Sequence, residues 1–427
     1  MLEKLKDILK NKFIKNIIML TSGTAIAQVL TMIISPIITR VYSPNDYGVL
    51  TIYTATLGTI SLIGALSYDS AIPIAENDKK AINVLALSNI ILFLCTFILI
   101  LILFFYGENI LKLFNAEILI ENKYYIVIGF LVTGLYTILT NWALRKKDFQ
   151  SITKTKLSQS ILGNLTKLLL GYISFGNIGL IIGTILGQSA GITTLIKSLL
   201  KSNRNLFKYI NLNECIWSLK RYKNFPIYYA PTTFILSFSS QAPVIFISTL
   251  YGTDVSGFYG LALSITFLPM TFIGKSVQDV FYGEIASIGR KKSNEIKKLS
   301  NKLLKKLIII SIIPMSILFF LGPKLFSIIF GEAWKDAGIY SSLLVPFAFA
   351  YFIFQPISVI FSIFEKQKKF LVLNILKLIL VLNTFIIAKI LNLNSYITIL
   401  IFSIFMSFIE VLKYILAQKI LNNEIRN

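Results

Sequence analysis

Histidine is absent from the 427-residue sequence. That excludes a histidine proton relay, a histidine metal site and a Ser-His-Asp triad. Cysteine is nearly absent. Cys95 lies in an apolar stretch and Cys215 in a basic one, and the two form no disulfide framework. Charge is scarce, at 15% of residues where soluble domains carry about a quarter. Acidic side chains are the scarcest, with 20 Asp and Glu against 42 Lys and Arg. No glycine-rich phosphate-cradling motif occurs, so direct use of a nucleotide is not expected.

What is abundant is apolar. Hydrophobic residues make up 55% of the chain and mean hydropathy is +0.73. A span of a ~30 Å hydrocarbon core takes about 20 such residues as helix. The pattern predicts twelve: 15–38, 48–75, 83–106, 124–144, 152–174, 177–199, 225–251, 257–283, 303–325, 338–364, 370–391 and 395–419. The expected fold class is therefore an all-α membrane protein. The connections alternate between basic and nearly neutral. One side collects 32 of the 42 Lys and Arg and the other 6. The positive-inside rule then places both termini in the cytoplasm. The net charge of +22 is explained by those loops and by anionic headgroups, and no basic, aromatic-interleaved domain is present to bind nucleic acid. The opening stretch MLEKLKDILKNKF is basic and amphipathic and lacks a small-residue cleavage site, so the first span is expected to be retained.

The second half echoes the first. Tyr47-Gly48 opens span 2 and Tyr259-Gly260 opens span 8. Ile63-Gly64 is followed by Asp69, and Ile273-Gly274 by Asp279 at the same interval. Span 3 ends Phe104-Phe105-Tyr106-Gly107 and span 9 ends Phe319-Phe320-Leu321-Gly322. Span 4 exits through ALRKKDF (143–149) and span 10 through IFEKQKKF (363–370). Six spans per half give both halves the same orientation, a parallel repeat with a substrate site expected between them. The expected organisation is an N-lobe at 1–200, a basic cytoplasmic linker at 201–223 and a C-lobe at 224–427.

Polar groups inside spans belong on interior faces or along water. Span 1 carries Thr21, Thr24, Gln28, Thr31, Ser35 and Thr39 at steps of three and four. Span 5 carries Thr153, Lys156, Ser160, Asn164 and Lys167 in the same way. Span 7 is dense in hydroxyls and holds Gln241. Hydroxyl stripes serve helix packing, and spans 2 and 7 are read so. Two lysines exceed what packing requires, because each costs roughly 2.5–3.5 kcal/mol at a helix centre. A water-filled cationic cavity is the simpler reading of span 5. Arg40, Lys275 and Lys377 are further cationic candidates, and Lys413 a lesser one. Lys275 has Asp279 one turn on, and Glu410 precedes Lys413 by three, the spacing of neutralising pairs. Asp69, Asp279 and Glu410 are candidates either for such pairs or for a coupling ion.

Residues 40–48 read RVYSPNDYG directly after an apolar span. KNFPIYYAP (223–231), GFYGLALSITFLP (257–269), FGEAWKDAGIYSSLLVPFAF (330–349) and FEKQKKF (364–370) follow. In this order the chain resembles the polysaccharide-export branch of the multidrug/oligosaccharidyl-lipid/polysaccharide (MOP) superfamily, which includes O-antigen flippases. Pro44, Asp46, Tyr47 and Gly48 are read as shaping a turn, with Asn45 and Asp46 available to cap the next helix. The resemblance implies twelve helices in two six-helix lobes around a central cavity, in a bacterial cytoplasmic membrane. The implied substrate is an oligosaccharide repeat unit on a polyprenyl pyrophosphate, moved between leaflets without covalent chemistry for O-antigen, capsule or a similar polymer. Lys156, Lys167 and Lys377, with Arg40 and Lys275 behind them, would meet the pyrophosphate. Gln28, Thr31, Asn164 and Gln241 would meet the sugar. No cofactor or metal is implied beyond Na⁺ or H⁺ coupling. Partners are the lipid-linked oligosaccharide, membrane lipids and other polysaccharide assembly proteins. Two alternatives stay open: a multidrug or metabolite antiporter of the toxin-extrusion branch, and a polytopic polymerase.

Overall fold

The computed structural model describes residues 12–113, 117–120, 123–268, 273–289 and 292–426. Every regular element among them is helical. Most of the N-terminal amphipathic stretch lies outside the described residues. The chain divides into two compact units, Met1–Thr249 and Leu250–Asn427.

The first unit holds α1 (Lys12–Val41), α2 (Pro44–Ile60), α3 (Asp78–Leu113), α4 (Tyr124–Arg145), α5 (Phe149–Tyr172), α6 (Gly176–Asn203), α7 (Leu212–Arg221) and α8 (Ala230–Tyr251). The second holds α9 (Thr253–Thr266), α10 (Lys275–Ile288), α11 (Ser293–Phe330), α12 (Lys335–Phe354), α13 (Val359–Ile363), α14 (Gln367–Ile390) and α15 (Ser395–Arg426). Nine helical segments among the described residues are long and apolar enough to cross a membrane. Twelve spans were expected, and spans 2, 5 and 8 are the three that do not meet this measure. Span 5 is α5, long enough but too polar. Span 2 is not one helix: α2 stops at Ile60 and 3₁₀ turns follow at Ser61–Ile63 and Tyr68–Ala71. Span 8 is likewise divided into α9 and α10.

The turn before α2 corrects the expected cap. Ser43, not Asn45 or Asp46, is the N-cap, with Pro44 as the first helical residue. The Asp46 amide donates to Ser43 Oγ (3.2 Å) and the Ser43 amide donates back to Asp46 Oδ2 (3.0 Å). This reciprocal box satisfies donors that the helix start leaves open.

The break after α2 is held from α4. Leu66 and Ser67 are both left-handed, at φ 47° and 60°, a conformation that non-glycine residues resist. Its 3₁₀ turns pair some of its own backbone, the Ile72 amide to the Asp69 carbonyl and the Ile74 amide to the Ala71 carbonyl among them, and the carbonyls that follow need outside donors. Arg145 supplies them: Nη1 donates to the carbonyls of Ile72 (3.1 Å), Pro73 (3.3 Å) and Ala75 (2.7 Å). Its Nε donates to Asp78 Oδ1 at 2.9 Å, and Lys146 pairs with the other carboxylate oxygen. Asn141, one turn earlier on α4, donates to buried Asp69 Oδ2 (2.7 Å).

The basic segment 201–223 is structured and belongs to the first unit. A 3₁₀ stretch (Arg204–Tyr209) precedes α7. Asn83 of α3 donates to the Tyr209 carbonyl and accepts from the Asn211 amide, both at 2.9 Å. Span 7 was grouped with residues 224–427, whereas α8 clusters with the first unit. Ser237 Oγ donates to the Gly58 carbonyl (2.6 Å), and the Gln241 side chain covers Gly58.

In the second unit α11 and α12 pack closely because Gly322 faces Gly338, where a Cβ on Gly338 would lie 2.5 Å from the Gly322 carbonyl oxygen. Ser342 Oγ donates across to the Leu318 carbonyl (2.9 Å). Fully buried Trp334 and Tyr340 flank Phe258, joining α9 to this pair.

Arg145→Gln removes the donor that several buried carbonyls share. Leaving such groups unsatisfied costs ~1–3 kcal/mol apiece. The expected result is a lower thermal unfolding midpoint of the detergent-solubilised protein with helix content retained at low temperature, read by circular dichroism. An unchanged midpoint would show that water replaces the guanidinium at no cost.

Candidate functional site

Three helices of the first unit, α1, α5 and α6, surround a cavity of about 280 Å³. The sequence explains why α5 turns a polar face to it. Lys156, Ser160, Asn164 and Lys167 recur at steps of three and four. The opposite face carries Ile161, Leu165 and Leu169, all more than half exposed. A helix with apolar residues outward and lysines inward suits hydrocarbon outside and water inside.

Polar contacts knit α1 to α5. Ser160 Oγ donates to the Ala27 carbonyl (2.7 Å), and Thr31 Oγ1 donates to the same carbonyl (3.1 Å). Asn164 Nδ2 donates to Thr31 Oγ1 (3.0 Å) and to Ser160 Oγ (3.3 Å). On the other side, α5 and α6 meet through glycine. A Cβ on Gly187 would lie 3.1 Å from Gly163 Cα, and one on Gly183 only 2.4 Å from Lys167 Cγ. The Lys167 stem therefore lies across the bare backbone of α6. Tyr42 Oη donates to the Lys167 carbonyl (2.7 Å), fixing the helix at that level.

Among the described residues, Lys156 and Lys167 are the charged side chains lining the cavity. Among the described residues neither is ion-paired. Lys156 Nζ sits 5.1 Å from the centre of the Tyr136 ring, a cation–π contact. Gln159 and Gln188 add amides, and Gln188 Oε1 accepts from Thr133 (2.6 Å). The site thus offers two ammonium groups, several amides and hydroxyls, and no carboxylate. Such a lining attracts an anion and presents hydrogen-bonding groups around it. Outside the spanning part of α5, Asp148 caps its start and accepts from Ser198 of α6. Burial pushes the Asp148 carboxyl up, but hydrogen bonds from Ser151 and Ser198 hold it below its ordinary value.

Of the residues singled out in the sequence, Gln28, Thr31, Lys156, Asn164 and Lys167 come together here. Gln241 instead covers Gly58 on α2, and Arg40 is exposed in the last turn of α1. Pro44, Asp46, Tyr47 and Gly48 form the first turn and a half of α2. Five others lie in the second unit. Lys275 and Asp279 pair at 3.1 Å on the exposed side of α10, and Lys275 also borders a cavity with Gln278, Tyr351 and Gln355. Glu410 and Lys413 form a buried pair at 2.7 Å on α15, and Lys377 of α14 feels the charge of both. Asp69 is buried against Asn141.

A family profile described as "Polysaccharide biosynthesis protein" matches residues 37–339. The chain belongs to this polysaccharide biosynthesis family. No curated protein matches the sequence. Among solved structures it is similar to an inward-facing multidrug resistance MATE family transporter of the MOP superfamily, at TM-score 0.76 and 14% identity, covering 94% of this chain and 96% of that one. An outward-facing MATE transporter of the same superfamily gives TM-score 0.55 and 14% identity, covering 96% of each chain. A MOP superfamily transporter from Pyrococcus furiosus gives TM-score 0.61 and 16% identity, covering 97% of each. This member of the polysaccharide biosynthesis family therefore has the MOP fold and is a multi-pass membrane protein.

Sequence reasoning missed the α6 wall, Thr184 and Gln188 with the glycines between them. A signal was present. Gly183, Gly187 and Gly191 repeat at steps of four, the small-residue spacing of close helix packing. Gly183→Val should push α6 off α5 and deform the cavity. Overpacking of this kind costs ~1–3 kcal/mol, so the unfolding midpoint in detergent should fall. Gly274→Val, where no described residue lies within 4 Å of the added Cβ, is the matched control and should leave it unchanged.

Proposed function

We propose that this protein is a flippase that carries an oligosaccharide repeat unit on a polyprenyl pyrophosphate from the cytoplasmic to the outer leaflet. The observation that carries this reading is the cavity with Lys156 and Lys167 and, among the described residues, no carboxylate. A pyrophosphate is a compact, multiply charged anion, and point-charge ammonium groups in a restricted space suit it. Gln28, Gln159, Asn164 and Gln188 offer the donors and acceptors a sugar needs. Membership of a polysaccharide biosynthesis family supports the same cargo. The cargo's lipid tail stays in the bilayer while its head group crosses.

The twelve-span, two-lobe reading belongs to this proposal. Its support is the pair of divided spans. Span 2 departs from α-helix at Ser61 and span 8 after Thr266, close to the sequence-equivalent Ile63-Gly64 and Ile273-Gly274. Asp69 lies within the first interruption, on the 3₁₀ turn Tyr68–Ala71, and Asp279 just past the second, on α10. Alternating access through a parallel repeat, with cytoplasmic termini, follows from the span count and the Lys/Arg asymmetry. Asp69, with no cation paired to its buried carboxylate among the described residues, is the favoured position for H⁺ or Na⁺ coupling.

A multidrug antiporter for cationic compounds would want acidic groups where this cavity has lysines. The test separates the two. In a strain whose own glycan flippase is deleted, Lys156→Gln and Lys167→Gln should each lower surface polysaccharide at least tenfold at equal protein level. Lys167→Arg should keep part of it. Drug susceptibility should not respond to any of the three. Full export by Lys167→Ala, or loss of drug resistance with export intact, overturns the proposal.

A further inference from the structure

Helix α7, in the basic segment between spans 6 and 7, has one apolar face that no described residue covers. Leu212, Ile216 and Leu219 fall at i, i+4 and i+7, and are 70%, 45% and 43% exposed. Tyr209 and Ile210, just before it, extend the patch at 46% and 40%. The buried face is different: Cys215 and Ser218 pack against the unit, and Cys215 Sγ contacts the Asn83 carbonyl (3.6 Å). This helix is therefore docked by one side and apolar on a second.

We infer that α7 is an in-plane anchor whose Leu212–Ile216–Leu219 face lies in the headgroup region of an anionic membrane leaflet. Charge identifies the occupant. Lys201, Arg204, Lys208, Lys220, Arg221 and Lys223 flank the patch in sequence, and Glu214 is the one acidic residue from 201 to 223. A water-facing protein partner of ordinary composition gives no reason for six cations around so small an apolar stripe. A surface of acidic lipid gives both, apolar depth for leucine and phosphate for lysine. Depth is set by aromatic rings that mark membrane–water boundaries. Lys80 Nζ stands 3.2 Å above the Trp217 ring and Lys79 Nζ 4.3 Å above Tyr209, so the start of α3, where that span begins, is level with α7.

The anchor reaches the break in span 2. Tyr68 Oη donates to the Leu219 carbonyl (3.0 Å), joining α7 to the 3₁₀ turn that carries Asp69. A helix held in the leaflet thus steadies the discontinuity beside it. The assignment to the cytoplasmic leaflet rests on the orientation given under Proposed function.

Spin labels on the full chain test this in liposomes. Single cysteines are placed at 212, 216 and 219, and at 213 and 220 for contrast, with Cys95→Ser and Cys215→Ala. Liposomes are phosphatidylethanolamine with or without phosphatidylglycerol. Labels at 212, 216 and 219 should be accessible to oxygen and shielded from an aqueous nickel chelate, with labels at 213 and 220 reversed. Phosphatidylglycerol should at least double the shielding. Equal nickel access at all five positions overturns the inference, as does label-to-label proximity indicating a second copy on the stripe. Ile216→Asp, read by the 212 label, should restore nickel access in a protein of unchanged helix content; shielding that survives the aspartate also overturns it. An impermeant quencher reads sidedness separately. Quenching from the wrong face sinks the leaflet assignment and the orientation but leaves the anchor standing.

Discussion

The cost of placing charge in hydrocarbon governs this structure. An ammonium group that meets acyl chains is expelled, neutralised or supplied with water and partners. Among the described residues neither Lys156 nor Lys167 is paired with a carboxylate. Their presence in α5 thus requires the cavity that α1 and α6 complete. The same rule shapes the neighbours: α1 presents Gln28 and Thr31, α6 presents Gln188, and the glycines of α6 keep its backbone close enough for the Lys167 stem to cross it. In the second unit the rule is met differently, by the buried Glu410–Lys413 pair on one helix.

Much of this was legible before any coordinates. Periodicity of three and four put Lys156, Asn164 and Lys167 on one face, and the same count on α1 selected Gln28 and Thr31. These are local properties of a helix, and helices follow local rules. The i,i+3 and i,i+4 spacings likewise anticipated the Glu410–Lys413 and Lys275–Asp279 pairs. Partners from distant sequence were not legible. Nothing near Gln241 announces that it will cover Gly58, whereas the place of Arg40 at the end of span 1 already allowed an interfacial, exposed position. The contribution of α6 is intermediate, because its glycine spacing signals contact but not with which helix.

Continuity of spans 2 and 8 was the main misreading. Hydropathy measures whether a segment tolerates lipid, and both stretches do. It does not report whether the backbone is regular, because irregular backbone is stable at that depth only when side chains elsewhere satisfy it. For span 2 those side chains are on α4, some 70 residues later, as the separations of 72 and 70 residues for Asn141–Asp69 and Arg145–Ala75 record.

That dependence bears on biogenesis. The carbonyls of Ile72, Pro73 and Ala75 take their donor from Arg145, so releasing that stretch alone into lipid would leave them unsatisfied. Until Arg145 has emerged from the ribosome and reached them, insertion machinery or solvent must shelter that stretch. The break after α2 is therefore completed only once α4 has folded beside it.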